Sequence, residues 1–315
     1  MRLFGRIALA AALSLVVPAV AQTQVEIQPR PKRGAEPPAR PNLRVNTTLI
    51  LVPVSVNDPL NRPVAGLEKE NFRVYEDKVE QTITQFSMED EATAVGLVFD
   101  TSGSMGDKLQ RSRMAARAFF KIANPEDEFF LVEFDSRPRL MVPLTSDTGT
   151  IETQLIFTRS RGSTALIDAI YLALHEMRRS KKNKKALLVI SDGGDNHSRY
   201  TTTELKNVVR ESDVLIYAVG VFGGGRSSEE AGGPWLLTKI AESTGGQLFQ
   251  ANPAELPDIA QKVGLELRNR YVLGYSPKAQ RRDGLYHRIS VVVIPPRGLP
   301  KLRAHWRLGY IAPAD

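Results

Sequence analysis

Asp100, Ser102 and Ser104 stand at alternate positions directly after the apolar run Val95–Phe99. A carboxylate and two hydroxyls so spaced bring three hard oxygen donors into one short stretch. Donors of that kind suit Mg²⁺, Mn²⁺ or Ca²⁺ and serve zinc or copper poorly. Two more oxygens follow along the chain. Thr164 lies in the loop Gly162-Ser163-Thr164-Ala165, just ahead of the helical pattern Leu166–Arg179, and Asp192 follows the apolar run Leu187–Ile190 within Ser191-Asp192-Gly193. Taken singly, each aspartate would read as a cap on the helix after its strand. Oxygen-bearing side chains in the order strand end, loop, strand end make Thr164 and Asp192 candidate partners for Asp100, Ser102 and Ser104 at one sheet edge.

Such a site needs strands that stop side by side. Val95–Phe99 and Leu187–Ile190 are apolar without alternation, the pattern of strands covered on both faces of a parallel sheet. Glu128–Phe134, Arg139–Leu144 and Val214–Val221 also read as strands, and Thr150–Phe157, Thr202–Glu211, Trp235–Ser243 and Leu256–Arg268 as helices. A further helix is expected immediately after Ser104, with Leu109, Ala116, Phe119 and Phe120 on one stripe. Thr202 or Thr203 is expected to cap the helix it begins. This alternation predicts an α/β, doubly wound, mostly parallel sheet over residues 92–265, which would gather its ligands at the carboxyl edge.

The flanks differ. Residues 43–91 and 266–315 carry short β runs broken by turns, and His287–Ile294 with Leu302–Tyr310 reads as a hairpin. Neither flank has a cysteine, and each is too small to bury a comfortable core alone. Both segments are therefore expected to join in one β-sandwich with the α/β unit inserted between them.

Apolar residues make up 42% of the 315-residue chain and charged residues 24%, the balance of a globular protein. The absence of cysteine excludes disulfides, thiolate metal sites and cysteine nucleophiles. Residues 1–21 read as an export signal, with Arg2 and Arg6, the apolar Ile7–Val17 and Ala19-Val20-Ala21 for cleavage. That run is shorter than the ~20 residues of a spanning helix. No stable membrane insertion is expected once it is removed, and the expected location is exported, periplasmic or extracellular. Residues 22–42, with Pro29, Pro31, Pro37, Pro38 and Pro41 among basic residues, read as an extended tether. Without Arg2 and Arg6 the net charge of +7 falls to +5, and aromatic and basic residues do not interleave, so nucleic acid is not an expected partner.

At the strand–Asp100-x-Ser102-x-Ser104–helix, the Thr164 loop and the strand–Asp192-Gly193, the chain resembles the von Willebrand factor type A fold and its metal-ion-dependent adhesion site. The resemblance implies a Rossmann-like sheet in which Ser102, Ser104 and Thr164 touch the cation directly while Asp100 and Asp192 act through water. It implies Mg²⁺ as cofactor, with Mn²⁺ or Ca²⁺ as substitutes, and a protein partner presenting Asp or Glu. Neutral hydroxyls would leave the cation under-neutralised and ready for that carboxylate. From Leu49 to Ala312 the chain also resembles a bacterial family of exported proteins related to this domain. That second likeness is carried by Gly66-Leu67, Asn71-Phe72, Val74-Tyr75-Glu76-Asp77, Asp100–Met105, Gly274-Tyr275-Ser276-Pro277 and Gly309-Tyr310.

Asp168, one helical turn after Thr164, is expected to orient the threonine loop. Asp195 reads as a solvated turn residue, or as a rim or separate calcium position. Gly223, Gly224 and Gly225, with Trp235 beyond them, read as a partner-contact loop, since they lack the lysine of a phosphate-cradling loop. No Gly-x-Ser-x-Gly elbow occurs, and His175, His197, His287 and His305 have no metalloprotease spacing. The expected function is a divalent-metal-dependent protein-binding module for adhesion or interaction, not an enzyme. The alternatives are an architectural envelope or matrix protein with a structural metal, and an aspartate-dependent phosphatase. The last would want an aspartate where Ser102 stands.

Overall fold

Strict alternation in Val52, Val54 and Val56 drives the first strand, because a period of two sends those three valines to one buried face. The computed structural model describes residues 49–88, 91–222, 232–252, 254–279 and 282–314. The expected signal (1–21), the tether (22–42), the opening of the N-terminal β segment (43–48) and Gly223, Gly224 and Gly225 lie outside the described residues.

The N-terminal segment forms β1 (Ile50–Asn57), β2 (Phe72–Glu76), β3 (Val79–Gln81) and β4 (Ile83–Ser87). Asp77 and Lys78, both at positive φ, make the tight turn between β2 and β3. The α/β unit follows as β5 (Thr93–Asp100), α1 (Leu109–Phe120), β6 (Glu128–Phe134), β7 (Pro138–Thr145), α2 (Thr148–Phe157), α3 (Leu166–Met177) and β8 (Lys184–Ser191). It is completed by α4 (Thr202–Glu211), β9 (Leu215–Val221), α5 (Gly233–Thr244), β10 (Leu248–Ala251) and α6 (Leu256–Arg268). Its strands run in the order β10-β9-β8-β5-β6-β7, and only the β6–β7 pair is antiparallel. Every residue of β5 is buried. Val95, Leu97 and Phe99 pack with α1 and α6 on one face, and Ala94 and Val98 pack with α3 and α5 on the other. The sheet is doubly wound, as its unbroken apolar strands require.

The C-terminal segment adds β11 (Arg270–Tyr275), β12 (Tyr286–Val293), β13 (Arg303–Trp306) and β14 (Gly309–Ile311). Two four-stranded sheets result, β13-β1-β11-β4 and β14-β12-β2-β3, and each draws strands from both ends of the chain. Val54, Tyr271 and Leu273 of the first sheet share one core with Phe72, Val74, Ile289 and Val291 of the second. The two segments thus build one sandwich around the α/β unit.

Three local expectations need correction. Leu302–Tyr310 is not one arm of a hairpin: β13 pairs with β1 in the first sheet and β14 with β12 in the second. The chain changes sheet at Arg307-Leu308 and needs glycine next, since a Cβ on Gly309 would lie 2.2 Å from the His287 carbonyl oxygen. The helix after Ser104 begins late, because Gly103–Lys108 takes a 3₁₀ turn before α1. Thr201 rather than Thr202 or Thr203 caps α4: its hydroxyl accepts from Glu204 N at 3.2 Å and the Glu204 carboxylate accepts from Thr201 N at 2.8 Å. No helix among the described residues is long and apolar enough to cross a membrane.

Candidate functional site

β5 and β8 are adjacent and parallel, with Phe99 paired to Ile190. Asp100 and Ser191–Asp192 therefore leave the sheet side by side at its carboxyl edge, where open α/β sheets collect ligands. Asp100 and Asp192 are buried, at 0% and 1% exposure, and Ser102 and Thr164 are buried beside them, while Ser104 faces solvent. The hydroxyls of Ser102 and Ser104 lie 3.1 Å apart. A Cβ added at Gly194 would lie 3.7 Å from Asp192 Oδ1 and 3.9 Å from Thr164 Oγ1, so those two oxygens border one small space. Ser102 and Ser104 thus stand with Asp100, Thr164 stands with Asp192, and the two aspartates end neighbouring strands.

The Asp100 carboxylate accepts from Ser191 Oγ at 2.5 Å and from Ser102 N at 2.8 Å. Burial, then the charge of neighbouring Asp192, pushes its carboxyl up to about 7. Lys108, buried at the end of the 3₁₀ turn, donates from Nζ to Asp192 Oδ2 at 3.1 Å. Two buried carboxylates close enough to repel therefore have a lysine ammonium beside one of them. Ser191 and Lys108 had no role in the sequence reading. Ser191 was legible as the polar end of an apolar strand, whereas no pattern marked Lys108.

The loops around these donors are cross-tied. Gly103 N donates to the Gly162 carbonyl at 3.0 Å and Arg161 N to the Thr101 carbonyl at 2.8 Å, which fixes the threonine loop against the Asp-x-Ser turn. Thr164 N donates to Asn196 Oδ1 at 2.9 Å, and the N–H groups of Asn196 and His197 return bonds to the Thr164 carbonyl. Asp168 does not hold the threonine loop directly. It accepts from the N–H groups of Arg199 and Tyr200 at 2.9 and 3.1 Å, and so anchors the segment that carries Asn196. Asp195 is not a solvated turn residue either, for it accepts from Ser198 Oγ at 2.5 Å and from Ile167 N, in the first turn of α3, at 3.3 Å.

Gly193, at φ +80, and Gly233 meet backbone to backbone, and a Cβ on Gly233 would lie 2.3 Å from the Asp192 carbonyl oxygen. That contact seats the start of α5 beside the site. Trp235 therefore stands on the first turn of a helix rather than in the preceding loop; it is 57% exposed, with Lys206 Nζ 5.9 Å from its ring centre.

A second polar cluster lies in the sandwich, where ligand atoms of Glu76, Asp77 and His287 fall within 4.8 Å of one another. Its groups already satisfy each other. His287 bonds Asp77 through Nδ1 at 2.7 Å and Asp283 through Nε2 at 3.1 Å, and Glu76 Oε2 accepts from Tyr275 and Tyr310 at 2.6 and 3.2 Å.

Residues 95–194 match the family model of the von Willebrand factor type A domain. An uncharacterized protein of Borreliella burgdorferi is 25% identical over 200 residues, covering 54% of this chain and 58% of the relative. This chain thus spans somewhat over half the length of that curated relative. Among solved structures, a von Willebrand factor type A protein from Catenulispora acidiphila superposes with a TM-score of 0.51 at 14% identity, over 86% of this chain and 76% of that one. The corresponding domain of the type V pili tip protein Mfa5 from Porphyromonas gingivalis gives a TM-score of 0.45 at 15% identity, over 56% and 97%. At such identities the structural likenesses concern the fold alone. Over residues 95–194, from β5 to the turn after β8, this chain carries a von Willebrand factor type A domain.

Proposed function

We propose that the chain is an exported, divalent-metal-dependent protein-binding module used in adhesion or interaction. The observation that carries this reading is the convergence of oxygen donors from three separate segments around two buried, mutually repelling carboxylates, with Ser104 open to solvent. An all-oxygen donor set fits Mg²⁺, Mn²⁺ or Ca²⁺. Ser102, Ser104 and Thr164 would hold the ion directly, and Asp100 and Asp192 through water. When bound, the ion would supply an open coordination position for an acidic side chain of the partner.

The chain's own residues set that position. Ser191 and Ser102 N hold Asp100 in place, Lys108 restrains Asp192, and Asp168 fixes the Asn196 segment that positions Thr164. Asp100 is a poor nucleophile in this setting, because it is fully buried and its two oxygens accept from Ser102 N and Ser191 Oγ. Binding therefore accounts for the site better than a phosphatase does. The exported location rests on residues 1–21, and the basic Pro-rich 22–42 would carry the module away from its surroundings.

Calorimetric titration with Mg²⁺ and Mn²⁺ is the direct test. One site is expected, lost in Asp100→Ala and weakened at least tenfold in Ser102→Ala. A pull-down from the exported fraction should then recover an acidic-faced protein with Mg²⁺ and release it in EDTA. Absence of any divalent-cation binding would overturn the reading.

A further inference from the structure

Lys108 sets a cation of the chain's own against the carboxylates that the donor set gathers. Its Nζ donates to Asp192 Oδ2 at 3.1 Å, and the two side chains are 11% and 1% exposed. Lysine is seldom buried so deeply unless it is paired, and here its charge is balanced by the carboxylate in place of water. Asp192 also borders the small space that it shares with Thr164 Oγ1. The ammonium therefore engages the carboxylate that a divalent ion in that space would need. Two cations drawn to one buried carboxylate repel each other, with little water between them to screen the repulsion.

The way Lys108 is mounted lets one cation replace the other. It closes the 3₁₀ turn Gly103–Lys108, which carries Ser104 and follows directly on Ser102. The backbone of that turn is pinned. Met105 is fully buried, its N–H donates to the Ser102 carbonyl at 3.1 Å, and the Lys108 carbonyl accepts from Ser112 Oγ at 3.1 Å. The lysine side chain, by contrast, is a four-carbon stem with rotatable bonds. Gly106 and Asp107 on the same turn are exposed, and among the described residues a Cβ on Gly106 would meet nothing nearer than Ser160 Oγ, at 4.0 Å. Solvent thus lies one residue away from the buried ammonium, and the stem can swing out while the turn and α1 stay in place.

We propose that Lys108 is an internal counter-ion that competes with the divalent ion. It holds Asp192 while the ion is absent, moves to solvent when the ion enters, and so raises the ion concentration at which the site fills. The inference rests on the divalent-cation reading and deepens it by naming what the ion must displace. A lysine that only braced Asp192 would give the opposite sign, since removing a brace weakens ion binding.

Calorimetric titration of the full chain with Mg²⁺ tests that sign. Lys108→Gln keeps an N–H donor for Asp192 but loses the charge, and should bind Mg²⁺ at least tenfold more tightly than the parent. Arg111→Gln removes the same charge from an exposed position at the start of α1 and should change the affinity less than threefold. Displacement is read separately in the parent, by acetylating its amines with an N-hydroxysuccinimide ester and locating the products by mass spectrometry. Lys108 should react at least fivefold faster in Mg²⁺ than in EDTA, while the exposed Lys121 at the far end of α1 keeps one rate in both. This measurement needs no variant, so it decides the matter if Lys108→Gln fails to fold. A gain below tenfold in Lys108→Gln, a gain of threefold or more in Arg111→Gln, or a smaller rise in the Lys108 rate would overturn the proposal and leave the divalent-cation reading standing. Absence of Mg²⁺ binding in both the parent and Lys108→Gln would overturn that reading and this inference together.

Discussion

The sandwich and the α/β domain each gather carboxylates into one cluster, half open to solvent in the first and buried in the second, and they settle the electrostatic problem in different ways. In the sandwich, His287 sits between Asp77 and Asp283, and two tyrosine hydroxyls serve Glu76. Each of these carboxylates accepts a hydrogen bond from a side chain of its own cluster. At the carboxyl edge of the α/β sheet, Asp100 and Asp192 lie close enough to repel, with the Lys108 ammonium on Asp192 and hydroxyl or amide donors on Asp100. A closed cluster of the first kind stabilises a fold. One in which two buried carboxylates face and repel each other keeps an attraction for a cation from outside.

The largest effect should come from cutting the sandwich itself. Deleting residues 272–315 removes most of β11 and all of β12, β13 and β14, which leaves β1 and β2 without their main partners. Residues 49–88 should then be digested rapidly in limited proteolysis. Continued protection of that segment would mean that the N-terminal strands hold a core of their own.

Next in size are single changes inside each cluster, and their metal dependence should differ. Lys108→Met removes the ammonium from Asp192, a pair whose side chains are 11% and 1% exposed. Breaking one side of a buried ion pair typically costs about 3–5 kcal/mol. Denaturant titration in EDTA should show a loss of that order, and Mg²⁺ should restore part of it. Glu76→Ala leaves the hydroxyls of Tyr275 and Tyr310 without their acceptor, at about 1–3 kcal/mol per buried group. That loss should be the same with Mg²⁺ and with EDTA. Equal metal dependence in both variants would erase the distinction between the clusters.

A smaller effect tests the closed cluster by pH. The two flanking aspartates hold the His287 pKa above its ordinary value of 6.5, chiefly through the bond to Asp77, with burial opposing. The folded state therefore retains a proton that the unfolded chain releases. The resulting stability is complete below pH 6.5 and is lost as pH rises through the folded-state pKa. Glu76 and Tyr310 also face this ring, and Tyr310 titrates well above that window. His287→Gln should flatten the decline in denaturant midpoint above pH 6.5; an unchanged slope would assign it to another group.

How much of this was legible follows from what kind of signal each feature leaves. β5 and β8 announce themselves because strands buried on both faces must be apolar throughout, and the polar residue that ends each run marks the sheet edge. Asp100, Ser102, Ser104, Thr164 and Asp192 were readable for that reason. Lys108 was not, since a lysine in a glycine-rich turn looks solvated until the turn folds back over Asp192. The sheet change between β13 and β14 was hidden because Leu302–Tyr310 carries the composition of one continuous strand. Asp168 stands nearest the threonine loop in sequence, whereas its partners lie 31 and 32 positions away. Arg270 belongs to the same class, since a basic residue at a strand start gives no hint of burial.

The smallest expected effect concerns Trp235, and it bears on where recognition ends and folding begins. Its ring is more than half exposed and sits on the first turn of α5, which the Gly193–Gly233 contact anchors to the site. The interaction with Lys206, 5.9 Å from the ring centre, is of the exposed kind, on the order of 0.5–1 kcal/mol. Leu236 and Leu237, the next residues, are buried and carry the packing of α5. Trp235→Ala should therefore lower stability by no more than about 1 kcal/mol, the size of that contact. A large exposed aromatic at the rim of a binding site is the kind of residue that dominates interface energetics. The same variant should leave Mg²⁺ affinity unchanged while reducing capture of the acidic partner. A large fall in melting temperature would return Trp235 to the fold, and unchanged capture would move the contact surface away from α5.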